Sequence, residues 1–229
     1  VWGALLVNGS TWTRRGALLA LVLGGCVVQM TVQQVGFGLA KWPFVLFNES
    51  SSGYYTAAKR DVKSAGDFLS RYDQIQTEYQ KRYGPLHLAT HPPGLVLLHY
   101  GALRLCESNS GLTRCLLAIE PQSVRDGFRA VAVGPSLPVA DQSSIWLVAI
   151  LSQLASALTV LPIYALARRG RSPVAAWFAA ALWPLVPAVT VFMPKSDVLY
   201  PLFAVSCVML VGGGRTFAAR WACGLAAGV

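Results

Sequence analysis

SIWLVAILSQLASALTVLPIYALARRGR, residues 144–171, is the stretch on which the fold turns. No charged side chain occurs from Ser144 to Ala167, and the run then stops at Arg168, Arg169 and Arg171. A helix rises about 1.5 Å per residue, so such a run crosses a hydrocarbon core of about 30 Å. Arginines gather on the cytoplasmic side of such spans. The same pattern extends outward along the chain. Residues 16–38 form an apolar run behind Arg14 and Arg15. Residues 173–192 form another, opened by Pro173 (a favoured first-turn position) and expected to kink at Pro184 and Pro187. Residues 198–213 form a fourth, bounded by Arg215 and Arg220. A fifth starts near Trp221 and is cut off at Val229, and the first residue is Val1 rather than Met, so the sequence reads as the N-terminal part of a longer protein.

The acidic residues sharpen this picture. Nine of the ten lie between Lys41 and Ser143, and the tenth is Asp197. With Arg14 and Arg15 inside, residues 41–143 become one large outer loop, and the Lys195-Ser196-Asp197 turn also lies outside. Every carboxylate is then on one side. The expected architecture is an all-α polytopic membrane protein of four complete spans and a truncated fifth, with a large extracytoplasmic first loop containing interfacial helices.

Composition agrees. The chain is 54% hydrophobic and 13% charged, where a soluble domain carries about 25% charged residues. The net charge of +9 does not indicate nucleic acid, because seven of the nineteen basic residues sit at the ends of apolar runs. Of the five cysteines, Cys26, Cys207 and Cys223 read as small buried hydrophobes. Cys106 and Cys115 lie in the loop, where an oxidising compartment would allow a disulfide.

A loop of that length must carry structure of its own. Residues 54–83 read as amphipathic helices ending at Gly84-Pro85. Leu95–Leu105 is too short to span and reads as a helix lying in the interface. Gly134-Pro135 and Pro138 mark an irregular stretch. In the first span, Gln29, Thr31, Gln33 and Gln34 are costly against lipid and should meet protein or water.

Three features on the outer side could carry chemistry. They are Asn48-Glu49 with the following Tyr54-Tyr55, His91-Pro92-Pro93, and Lys195-Ser196-Asp197. A carboxylate at a membrane surface can act as general base on a hydroxyl, and Lys or His beside it can neutralise a phosphate. Each has a plainer reading. Glu49 could be a solvated loop residue, Asp197 a helix cap, Lys195 a snorkelling side chain, and Pro92-Pro93 a helix start. His87, His91 and His99 invite a metal, but Pro92-Pro93 breaks any common helix face, so hydrogen-bonding or phosphate-binding roles are preferred and no metal is assigned.

A span, an acidic residue followed by Tyr54-Tyr55-Thr56-Ala57-Ala58, a His-Pro-Pro opening an apolar helix, then span, basic turn, span and an outer turn with Asp: this order resembles the GT-C glycosyltransferases of the aminoarabinose transferase and protein O-mannosyltransferase group. The resemblance covers residues 12–213. It implies transfer of a sugar from a polyprenyl-phosphate donor to an acceptor hydroxyl on a glycan, lipid or protein, at the outer face of a bacterial inner membrane, without a cofactor. It assigns Glu49 and Asp197 as carboxylates of the reaction, Asp61 as the alternative base, and His91, Lys195, Tyr54 and Tyr55 as substrate-binding residues. Two rival classes stay open at the level of sequence: a multi-pass transporter, and an envelope scaffold that binds a partner through residues 41–143.

Overall fold

The computed structural model describes residues 11–35, 38–84, 87–131 and 137–213. Among them every regular element is helical. Three helices are long and apolar enough to cross a membrane: Trp12–Gln34, Val139–Ala167 and Pro173–Val191. The chain is therefore a helical membrane protein. The expected fourth span is shorter. The apolar helix there runs over Ser196–Leu210, and the α-helical part over Tyr200–Gly213 has 14 residues, about 21 Å at the helical rise. Arg215, Arg220 and the expected fifth run at 221–229 lie outside the described residues, as does Gly134-Pro135.

The second span begins earlier than the charge pattern suggests. Its helix opens at Val139, so Asp141 belongs to the helix rather than to the preceding loop. The charge is tolerated because Lys59 and the Tyr55 hydroxyl both bond to Asp141. The helix is interrupted once, at Thr159, three residues before Pro162. Proline there has no N–H to give to the preceding turn.

The chain divides into two compact units. The first comprises residues up to Val35, Ser152–Met193 and the chain from Asp197 onward. In its opening helix, Thr11–Gln34, the buried positions are Ala17, Leu21, Gly25, Gln29 and Gln33, a stripe at four-residue spacing. Leu19, Leu23 and Val27 on the other side are exposed. Apart from Leu21 the buried stripe is small or polar, which is how helices meet in lipid. A Cβ on Gly25 would sit 3.0 Å from the Pro184 ring. Gln29 donates to Ser156 Oγ at 2.9 Å and accepts from Gln153 at 2.7 Å, while Gln33 donates to the Thr190 carbonyl. Thr31 and Gln34 are exposed, so only half of the polar set meets protein. The Pro173–Val191 segment is kinked, as expected. Ser172 caps it by accepting from the Ala175 N–H at 3.2 Å, and it passes through a 3-10 turn at Trp183–Leu185 before restarting at Pro187.

The second unit comprises Gly36–Leu151 and Pro194–Ser196. It is a cluster of short helices: Lys41–Phe47, Tyr54–Asp61, Ala65–Ser70, Tyr72–Tyr83, Gly94–Ser108, Ser110–Ile119 and Gln122–Val131. Local caps separate them. Ser64 accepts from the Asp67 N–H and Asn109 from the Leu112 N–H. Gly94–Ser108 buries Leu95, Val96, His99, Ala102, Leu103 and Cys106, one face at helical spacing, and packs on Tyr54–Asp61. Gln122–Val131 packs on Lys41–Phe47 and the preceding turn so closely that a Cβ on Gly127 would fall 2.3 Å from the Ala40 carbonyl oxygen. Trp42 and Trp146 are buried against each other, their rings 6.0 Å apart. Cys106 is buried and Cys115 exposed; both are free thiols, not the disulfide that an oxidising compartment would allow.

Candidate active site

The sequence from Asn48 to Gly53 is built to turn. Asn48 Oδ1 accepts from the Ser50 N–H at 2.8 Å, and its carbonyl accepts from the Ser51 and Ser52 N–H groups, both at 3.0 Å. Gly53 has φ 74°, a backbone region that side chains with a Cβ avoid. A Cβ there would also meet Leu88 at 2.8 Å. The turn ends Lys41–Phe47 and starts Tyr54–Asp61, leaving Glu49 beside the last turn of the second helix.

Glu49 is held there by two partners. Arg60 donates to its Oε1 at 3.1 Å and the Tyr83 hydroxyl to its Oε2 at 3.2 Å. Arg60 also forks onto Asp61, with both contacts at 2.9 Å, and the Tyr79 hydroxyl donates to Asp61 at 2.7 Å. The result is a carboxylate–guanidinium–carboxylate bridge, flanked by tyrosines four residues apart on one helix. The fork with Asp61 holds the Arg60 guanidinium above its already high range, so it stays charged. Burial first, and the neighbouring Asp61 second, push the Tyr79 phenol up, so it stays a donor.

Two recesses flank this bridge. One, of about 460 Å³, is lined by Phe44, Phe47, Val131 and Ala130, with Asn48, Thr56 and Glu49 as its polar groups. The other, of about 260 Å³, lies beyond Arg60 and Asp61 over a floor of Ile75 and Tyr79. Lys63, Arg71, Glu78 and Arg82 stand around it.

A second cluster surrounds Tyr54, which is 1% exposed. Its hydroxyl is hydrogen-bonded to His91 Nδ1, and the His91 and His99 rings each lie 6.2 Å from its own between centroids, tilted from it by 19° and 28°. The His91 carbonyl accepts from the Tyr72 hydroxyl at 2.6 Å, and the Ala89 carbonyl from Gln76 at 3.2 Å, which ties His91 to the Tyr72–Tyr83 helix. His99 is buried, with Nε2 3.3 Å from Ser196 Oγ. Burial pushes its imidazole down to about 3, so it is neutral at ordinary pH. Tyr55 is 2% exposed, and its hydroxyl donates to Asp141. Burial and that carboxylate raise its phenol well above the usual range.

The site residues read from sequence thus fall in three places. Glu49 stands in the carboxylate–guanidinium bridge. Tyr54 and His91 are joined to each other, while Tyr55 faces Asp141. Lys195 belongs to the second unit next to Ser196, and is half-buried. Asp197 belongs to the first unit, on a recess of about 240 Å³ otherwise lined by apolar groups such as Trp183, Val189 and Phe192. Among the described residues, no three His, Cys, Asp or Glu side chains are grouped to hold a metal. Sequence reading missed Arg60, Tyr79 and Tyr83. The two tyrosines carried a signal, because their four-residue spacing puts both on one helix face. Comparison with protein-family profiles, curated proteins and solved structures finds no match to this chain.

Proposed function

We propose that the protein is a membrane glycosyltransferase of the GT-C kind, taking a sugar from a polyprenyl-phosphate donor to an acceptor hydroxyl at the outer face of the membrane. The observation that carries this reading is the position of Glu49: a carboxylate on the rim of an otherwise largely apolar recess, in the charged unit of a membrane protein. The topology proposed with it has four spans and the start of a fifth, with residues 41–143 and the Lys195–Asp197 turn outside a bacterial inner membrane.

In this mechanism the apolar recess receives the first part of the donor lipid. Asn48 and Thr56 offer hydrogen bonds to the sugar. Each Glu49 oxygen has one protein partner and keeps lone-pair capacity for an acceptor hydroxyl. Glu49 takes the hydroxyl proton as the acceptor oxygen bonds to the anomeric carbon. The bond from that carbon to the phosphate oxygen breaks, and polyprenyl phosphate leaves with the electron pair. His91 and Lys195 line no part of the Glu49 recess and are assigned to the phosphate by the resemblance alone; Tyr54 fixes the His91 ring. Tyr55 acts through Asp141, fixing the start of the second span rather than touching substrate. Asp197 is assigned as a second carboxylate by the resemblance alone, and Asp197→Asn tests it separately.

The experiment is transfer from radiolabelled polyprenyl-phosphate sugars by full-length protein in bilayers. Glu49→Gln should lower the rate by about 10²- to 10⁴-fold, the worth of a general base. Near-normal transfer by that variant removes Glu49 from the role. No turnover of any such donor by the unaltered protein removes the glycosyltransferase reading.

A further inference from the structure

The recess beyond Arg60 has a chemistry of its own. Its cations are matched locally: Arg60 by Asp61 and Glu49, and Arg71 by Asp67. Lys63 and Arg82 share the rim with Glu78. Lys63 and Glu78 make no ion pair or side-chain hydrogen bond among the described residues, and both are exposed on the rim. The lining holds four cations and two carboxylates, and Arg60 and Arg71 are already paired, so a phosphate entering here would meet Asp61 and Glu78 beside the remaining cations, and a simple cation would meet several guanidinium and ammonium groups. Like charges at close range are costly for both. A neutral ligand carrying many hydroxyls meets donors and acceptors at once, without that penalty. Adjacent hydroxyls on a sugar ring match the paired atoms of a carboxylate or guanidinium. The floor of Ile75 and Tyr79 offers a surface for the ring's C–H face. A volume of about 260 Å³ has room for one monosaccharide unit.

We propose that this recess is a carbohydrate subsite, taking a neutral monosaccharide unit of a glycan, and that Arg60 is a positioning residue linking the bound sugar to Glu49. Calling that sugar the acceptor rests on the glycosyltransferase reading; its binding does not. With one side apolar and the other densely polar, the bridge then separates a lipid-linked donor from a hydrophilic acceptor.

The test uses full-length protein in lipid nanodiscs and saturation-transfer NMR with the methyl glycosides of glucose, mannose, galactose and arabinose, and with inorganic phosphate as competitor. At least one glycoside should receive saturation. Lys63→Met and Glu78→Gln, neither of which touches Glu49, should each weaken it about tenfold, the worth of one hydrogen bond to a charged group. Lys81→Met, on the same helix but outside the recess, should not. Phosphate should fail to displace the glycoside. The proposal is overturned if none of the four glycosides receives saturation, if phosphate displaces the bound one, or if both recess variants bind like the unaltered protein. Where donor turnover is measurable, Arg60→Lys keeps the charge but loses the fork. It should lower the ratio of transfer to glycoside over transfer to water, and an unchanged ratio removes the positioning role. Glycoside binding without turnover of any donor keeps the sugar subsite and fails the glycosyltransferase reading.

Discussion

In the first unit Gln29 and Gln33 are buried while Leu23 and Val27 are exposed; in the second, Trp42, Phe68 and Val124 are buried while Lys63, Glu78 and Arg82 are exposed. Both units are built from helices with two unlike faces. What differs is which face turns inward, and that is set by the solvent. Against lipid an apolar face has little to gain by hiding, so the first unit adds small residues and hydrogen bonds to an apolar contact among Leu21, Val160 and Ala180. Against water the gain from hiding it is large, about 25 cal/mol per Å², so the second unit packs aromatic and branched side chains and leaves most of its charges outside, Glu120 and Asp141 being buried beside Arg125 and Lys59. All the groups proposed for chemistry except Asp197 lie in the second unit, which carries most of the charged side chains.

Substitutions that press on each kind of packing sharpen this contrast. The largest effect is expected for Gly127→Ala. The added methyl would overlap the Ala40 carbonyl, which is backbone and cannot swing away. Overpacking of this kind costs about 3 kcal/mol. Thermal unfolding in detergent should show a lowered midpoint, with the loss confined to signals from the second unit, such as Trp42 and Trp146 fluorescence.

A second effect appears only in acid. His99 is about 6.5 when unfolded and about 3 when buried in the fold. The unfolded chain therefore binds the proton more readily, and stability is full above about pH 6.5 and falls as pH drops toward 3. His99→Phe should flatten that limb of the stability profile, at the cost of the Ser196 contact. A profile as steep as that of the unaltered protein would place the acid sensitivity elsewhere.

Gln29→Leu removes both hydrogen bonds to the Val139–Leu158 helix. In lipid such a change costs about 1.5 kcal/mol, measurable by steric trapping in bilayers. A gain in stability would mean that this face is not closed by polar contacts. Smallest is Ser172→Ala, which takes the cap from the Pro173–Ala181 helix. About 1 kcal/mol is expected by the same method.

Much of this was legible in the residues. Span positions come from uncharged runs, and the break at Trp183–Leu185 comes from Pro184 and Pro187. The buried Gln29 and Gln33 are four apart, whereas Thr31 and Gln34 fall on another face; helical register, applied to the polar set, separates them. Asp141 misled the reading of the second span, because its partners Lys59 and Tyr55 are some eighty residues earlier in the chain. His99 could have been placed in the core, since it falls in the same helical stripe as Leu95, Val96, Leu103 and Cys106. The meeting of Glu49 with Arg60 was harder to see. It requires the chain to reverse between Asn48 and Gly53 at one particular angle, and turn residues announce a reversal without giving its direction.

The most direct test of the two-solvent account is spin-label accessibility in bilayers, with single cysteines placed at Val27 and at Lys63 in an otherwise cysteine-free chain. Val27 is 64% exposed in the first unit, and Lys63 is exposed in the second. The account predicts that the label at 27 relaxes with dissolved oxygen and not with a water-soluble nickel chelate, and that the label at 63 does the opposite. Two labels with the same preference would contradict it.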